Sequence, residues 1–404
     1  MTKAATPVLA PALEWPGRTN EEWHRSRLDR FALETRKVAP LGKKTTQALP
    51  SDPQWAGQLR FIDGALAGAA LDPALKAQGV VFGPLSDAPA SVKKFLAATE
   101  ALCDTRASSH HYQALEFGAV LYIPANLVVE KPFLVHITET RNGGLTVPHV
   151  SVQADRLSQA ALVVRSDSPA HTPFTSHSAT TVELADGAIF RLCDLQDHNL
   201  EAAVLDHSFA RLGRDVQFFH WSACLGGGTV KTRFEFSLEG EGASLKTHGL
   251  YFGIGDQHKD LRIATTHRAP NTTSYALYKG AVRDRSRTIF QGLIEVSPQA
   301  PRTDAYLSNK NLILNDGARA DSLPQLKIDT NDVKCSHGST TGKVNEDEVF
   351  YLTSRGFSRD EARLLIAEGL FAELIDEAPE PLREELSRRV EDSLRSPPVA
   401  SGSP

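Results

Sequence analysis

The sequence predicts a mainly β protein with helical segments at both ends, and three observations predict it. Residues 229–239 alternate cleanly: Val230, Thr232, Phe234, Phe236 and Leu238 face one way, and Lys231, Arg233, Glu235 and Glu239 the other. Successive side chains of a strand point to opposite faces, so this reads as a strand with one buried face. Turn signals recur between such runs, at Asp186-Gly187, Glu239-Gly240-Glu241-Gly242 and Asn315-Asp316-Gly317. Helix-capping signatures gather near the C-terminus. Many short strands at near-regular spacing build a sandwich, a barrel or a β-helix, and no clean short repeat selects among them.

In chain order, residues 1–18 form a loose leader rich in Pro and Ala, without the sustained apolar run of a secretory signal. Residues 20–38 read as a helix capped by Asn20, with Glu21 and Glu22 in its first turn, Arg36 and Lys37 in its last, and Pro40 beyond. Residues 60–66 form a short strand entering a turn at Asp63-Gly64, and 91–102 a helix. Residues 115–137 hold two β-rich runs split by Pro124-Ala125-Asn126. Strands continue to about residue 330. Asn345-x-x-Glu348 then opens a helix that Gly356 stops, and Ser358-x-x-Glu361 opens a second, with Ala362, Leu365, Ile366, Phe371, Leu374 and Ile375 at helical spacing. Pro381 begins a third, with Leu382, Leu386, Val390 and Leu394 on one stripe. These helices would cap the end of the core, as solenoid-like folds require. The tail 396–404 is disordered by composition.

The chain has 404 residues, 41% hydrophobic and 23% charged, enough for a large core. A net charge of -5 argues against a nucleic-acid binder, and no apolar run approaches membrane-spanning length. Cys103, Cys193, Cys224 and Cys335 are widely spaced, which suits reduced thiols in a cytoplasmic protein better than disulfides or a closed zinc site. Gly226-Gly227-Gly228 precedes a strand and lacks phosphate-loop spacing, so it reads as a turn. No nucleophile elbow and no dinucleotide fingerprint is present. His267 reads as a turn-stabilising or packing residue, and His110-His111 as ordinary surface.

Lys334-Cys335-Ser336-His337-Gly338 places a thiol and an imidazole two residues apart, on one face if the segment is extended. Both are ligands that iron or a cluster accepts, yet two are too few to hold a metal firmly. A buried Cys and a hydrogen-bonded core His fit the same spacing. Two function classes stay open on the residues alone: a metal-dependent β-fold enzyme and a self-associating structural β-solenoid.

A longer pattern surrounds that segment: Phe290-x-Gly292, Gln299-Ala300, Thr303-Asp304-Ala305-Tyr306, Asn309-x-Asn311-Leu312, Ala318-Arg319-Ala320-Asp321, Pro324-Gln325-Leu326 and Phe350-Tyr351-Leu352-x-Ser354-Arg355-Gly356. With it, residues 260–377 resemble the C-terminal half of the SufB/SufD family, scaffold subunits of the machinery that builds iron–sulfur clusters. Weaker similarity runs through 115–137 and through Pro16-x-Arg18 followed by Glu21-Glu22-Trp23. SufB relatives usually carry Glu directly after the corresponding His and additional cysteines. Gly338 stands there in this chain, so the resemblance is to SufD.

The resemblance implies a right-handed parallel β-helix flanked by helical domains: an N-terminal helical region over 1–105, the core over 106–340 and a C-terminal helical domain over 341–395. It implies a non-catalytic subunit that pairs with a SufB-like paralogue through the end of the core, or with itself in isolation. A SufC-like ABC ATPase, where ATP would be hydrolysed, would dock on the C-terminal helices, with exposed apolar residues of 358–376 as anchors. His337 would face a SufB cysteine, with Cys335 the lesser candidate, at a transient iron or cluster site. No cofactor is expected to bind tightly to the chain alone. Reduced flavin is linked to the family complex, although this chain shows no flavin motif.

Overall fold

The computed structural model describes residues 13–17, 19–43, 47–49 and 52–395; most of the leader, Arg18 and the tail 396–404 lie outside them. Strands alternate between two sheets, one of eleven strands and one of ten. Each core strand pairs in parallel with the strand two places on: Thr175 lies beside Ala203, Ala203 beside Thr229 and Thr229 beside His258. The result is a β-solenoid of about 8 turns, which settles the choice among sandwich, barrel and β-helix. The step between paired residues differs from coil to coil, from Ala203 with Thr229 to Arg287 with Arg319. Uneven turns therefore hide the repeat from the sequence.

Alternate positions fill the interior. Phe218, Leu245, Ala276 and Ala305 come from one sheet, and Val204, Val230, Leu261 and Phe290 from the other. Burying each larger side chain stabilises the fold by roughly 1.5–3 kcal/mol. Gly226 and Gly228 make the turn the sequence suggested. A Cβ on Gly226 would sit 1.9 Å from the His198 carbonyl oxygen of the previous coil, so only glycine fits.

The strand Thr229–Leu238 has the predicted alternation but not the predicted solvent face, since Lys231 and Arg233 are buried. The N-terminal segment lies across them, and for that reason 20–38 is not one helix. Only Leu28–Phe31 is helical, ended by Ala32 at φ 49°. Trp23 and Phe31 pack instead on the outer face at Ala203 and Leu205. Arg262 pairs with Glu22 at 3.3 Å, the Glu22 carbonyl accepts from Lys231 at 3.1 Å, and Lys231 sits 5.1 Å from the Trp23 ring centre. Docking of these side chains outweighs a modest helix propensity.

The region 1–105, expected to be helical, holds helices Pro73–Ala77 and Ala90–Glu100 but also strands. Gly57–Ile62 joins the larger sheet in parallel with Phe133–Thr138. Ala65–Leu71 and Val81–Pro84 then pair antiparallel with their neighbours and finish that end. Asp63 and Gly64, both at positive φ, make the predicted turn. His111, read as surface, is fully buried in helix Arg106–Ala114.

The C-terminal helices Glu346–Ser354, Arg359–Glu377 and Glu380–Arg395 form as predicted, with the Ser358–Glu361 capping box present. They do not cap the solenoid end. Phe371, Leu374, Leu382 and Leu386 pack on Trp221, Leu250, Phe252 and Leu277, along the outer flank of the larger sheet. Trp221 Nε1 donates to the Leu374 carbonyl at 2.9 Å, and Lys279 pairs with Glu373 at 2.7 Å. The helices were read as an end cap because terminal elements of solenoid-like folds cap the core, but their apolar stripe finds its partner on the sheet flank. No helix among the described residues is long and apolar enough to cross a membrane.

Candidate functional site: the open end of the solenoid

The last coil consists of strands Arg319–Ile328 and Val333–Lys343, the C-terminal edges of the two sheets. Cys335 lies beside Ala305 and His337 beside Leu307, so both continue the inward stripe of the core. No further coil covers that stripe. Cys335 is half-buried against the core end and His337 is exposed. In the other strand Leu326 and Ile328 continue the stripe of Ile294 and Val296, yet each is 37% exposed. One edge of each strand also lacks a strand neighbour, although Pro324 removes one backbone donor from that row.

The two predicted residues thus share one face of one strand. Burial holds the Cys335 thiol above its usual range; a backbone hydrogen bond at Ala305 works against this and Asp304 adds to it. A metal would have to displace that proton, because the thiolate is the ligand. Among the described residues the His337 ring has no hydrogen-bond partner. No group of three or more His, Cys, Asp or Glu stands close enough to hold a metal ion among those residues. The chain offers two donors on an open surface.

A second exposed apolar surface lies at the C-terminal domain. Helix Arg359–Glu377, expected to carry docking anchors, spends its apolar side on the sheet flank and leaves Leu365 exposed. The larger exposed groups precede it: Phe350 at 74%, Tyr351 at 56%, and Phe357. The sequence placed Phe350 and Tyr351 in a capped helix and gave them no docking role. The signal available was that helix Glu346–Ser354, at nine residues, is too short to bury both faces.

The other singled-out histidines have structural roles. His267 bridges Thr272 Oγ1 at 2.8 Å and Ser274 Oγ at 2.9 Å, holding its turn as the sequence suggested. His248 pairs with Glu377 and helps to anchor the C-terminal helix. His111 Nε2 meets His149 Nδ1 at 2.9 Å, and the His111 and His110 rings stand beside His177, whose two ring nitrogens have no partner.

Comparison with known proteins agrees with this geometry. Residues 136–370 match the family described as SUF system FeS cluster assembly, SufBD core domain. An iron–sulfur cluster assembly SufBD family protein of Mycobacterium leprae is 28% identical over 298 residues, 72% of this chain and 75% of that protein. The iron–sulfur cluster assembly protein SufD of Escherichia coli is 34% identical over 195 residues, 47% of this chain and 46% of that protein. SufD of Bacillus subtilis is 25% identical over 342 residues, 82% of this chain and 78% of that protein. With more than half its length matched by the core domain and SufD proteins among its relatives, the chain belongs to the SufB/SufD family as a SufD-like member.

Proposed function

We propose that this chain is a scaffold subunit of an iron–sulfur cluster assembly complex. It pairs with a SufB-like paralogue through the open end of the solenoid. The observation that carries this reading is the uncovered last coil, where a continuous core stripe reaches solvent beside an exposed, unpartnered His337. A partner solenoid presenting its own last coil would cover Leu326 and Ile328 and add strands to both edges. His337, with Cys335 behind it, would then be two donors of a shared site for iron or a nascent cluster. Both are cargo rather than resident cofactors.

The chain itself performs no covalent chemistry in this reading. A SufC-like ATPase docks on Phe350, Tyr351, Phe357 and Leu365, large apolar groups of the kind that anchor interfaces. ATP-driven movement of that partner shifts the solenoid pair, because it binds the two arrangements with different affinity. The test is co-expression with the host's SufB-like and SufC-like proteins, capture on this chain and assay of cluster formation. A discrete complex containing both partners is expected, and His337→Ala should keep that complex while lowering cluster yield. Capture of this chain alone beside soluble, folded partners would overturn the pairing. Full cluster yield in His337→Ala would overturn the role of His337.

A further inference from the structure

A cavity of about 630 Å³ lies between the outer flank of the larger sheet and the elbow that joins helices Arg359–Glu377 and Glu380–Arg395. Its floor comes from strands Gln159–Asp167, Ile189–Asp197 and Gln217–Cys224. Their register sets Ala161, Arg191 and Phe219 in one row and Val163, Cys193 and Trp221 in another. The second row is buried against the C-terminal helices and backs the floor, while Phe219 is only half-buried and faces the cavity. Pro53, Pro132, Pro379 and Pro381 stand in the walls. Proline fixes its own backbone, so these walls are set before anything enters. The volume falls within the roughly 300–1,000 Å³ of small-molecule sites.

The charges decide what enters. Two cations sit over the Phe219 ring, the Arg191 guanidinium at 5.3 Å from its centre and the Lys246 ammonium at 5.5 Å. Lys246 has a carboxylate, Glu377 at 2.8 Å, which also takes His248. Arg191 has none: among the described residues no carboxylate lies in ion-pair reach of it, and the same holds for Lys131 and Arg383 in the walls. Arg383 Nε donates to the Ala378 carbonyl at 2.9 Å, which orients that side chain and leaves its terminal nitrogens free. Glu130 and Glu380 also line the cavity without a cation of their own. Three free cations against two free carboxylates leave one positive charge unmatched. A cationic guest would add to it, and a phosphate monoester would bring close to two negative charges. A single carboxylate balances it, and the planar fork of a guanidinium matches a carboxylate in two parallel hydrogen bonds.

We propose that this cavity binds a small organic molecule with a flat apolar body and one carboxylate, the body against Phe219 between the prolines and the carboxylate on Arg191. Such a guest touches the solenoid and the C-terminal helices at once. This inference does not depend on the partner reading.

The test is calorimetric titration of the full chain with 2-naphthoate and with 2-naphthamide, which keeps the shape and removes the charge. Naphthoate should saturate one site per chain and bind about tenfold or more tightly than naphthamide, as a charge-assisted hydrogen bond provides. Arg191 is exposed, so Arg191→Leu should melt like the wild type, and it should bind the two probes alike. Phe350→Ala, on the other exposed apolar surface, should leave naphthoate binding unchanged. Equal affinity of the wild type for the two probes, or no saturable binding of naphthoate, would overturn the proposal. So would a preference for naphthoate retained in Arg191→Leu, or naphthoate binding lost in Phe350→Ala.

Discussion

At one end the solenoid finishes in strands of two and four residues, Gln47–Ala48 and Val81–Pro84. At the other it finishes in strands of ten and eleven, Arg319–Ile328 and Val333–Lys343. The first end uses the devices that blunt a sheet edge: short strands, antiparallel neighbours and a proline. Beneath it Leu121 and Val120 are fully buried. The second end keeps long strands and leaves Leu326 and Ile328 partly in solvent. A chain that closes one end and leaves the other open has not failed to cap itself. The open end fits a surface that another chain completes.

The sharpest way to break this comparison is to put the same charge at both ends. Leu121→Asp buries an unpaired carboxylate in the closed end and should prevent folding, read as loss of cooperative thermal unfolding. Leu326→Asp with Ile328→Asp should leave the isolated chain's stability within about 0.5 kcal/mol, as exposed substitutions do, while abolishing capture of the SufB-like partner. Equal destabilisation at both ends would remove the distinction.

Between the ends, the N-terminal segment seals a polar outer face. Lys231 Nζ and Asp260 Oδ2 lie 3.1 Å apart with both side chains fully buried, and Gln291 donates to Asp260 at 2.8 Å. Asp260→Ala leaves the Lys231 ammonium without its nearest carboxylate, Glu22 Oε1 standing farther off at 4.0 Å, and should cost about 3–5 kcal/mol in urea unfolding. A loss below about 1 kcal/mol would mean that water reaches this face and that the N-terminal segment does not seal it.

A smaller effect is set by pH. Burial holds His111 down to about 3, and His149 and His177 well below the usual 6.5. Above 6.5 all three are neutral in both states. As pH falls below 6.5 the unfolded chain takes up protons first, so stability is lost progressively toward the folded values. The loss should reach roughly 1.4 kcal/mol per histidine by pH 5.5. Asp206 and Glu139, whose carboxyls burial pushes up to about 7, act in the opposite direction over the same range. The comparison of wild type with His177→Phe isolates the histidine contribution. Urea midpoints should fall less steeply with acid in the variant, and parallel curves would contradict this account.

The smallest effect on this chain's own stability is expected at its exposed anchors. Phe350→Ala and Tyr351→Ala should change stability by less than about 0.5 kcal/mol and weaken ATPase docking strongly. Undiminished docking would move the ATPase site elsewhere.

Strands, turns and C-terminal caps were legible because they rest on local signals: period-two alternation at 229–239, glycine at Gly187 and Gly356, and Ser358 with Glu361. The turn at Asp63-Gly64 and the two β-rich runs of 115–137 were equally local. What the sequence hid was which polar residues lie beneath something else. Lys231, Arg233 and His111 look like surface residues, and only the path of the N-terminal segment and helix Arg106–Ala114 buries them. The helix predicted for 20–38 failed for the same reason, since Glu22 and Trp23 serve distant strands. At the candidate site, Cys335 and His337 were legible as a pair. That they sit on an uncapped end became visible only once the C-terminal helices were found on the flank.

The most direct test of the open end is hydrogen exchange on the full chain, alone and purified with its SufB-like partner. Backbone amides on the free edges of Arg319–Ile328 and Val333–Lys343 should exchange rapidly in the chain alone and become protected in the complex. The strands Ala65–Leu71 and Val81–Pro84 at the closed end should be unchanged. An intact complex in which the last coil still exchanges freely would contradict the account and place the partner on another surface.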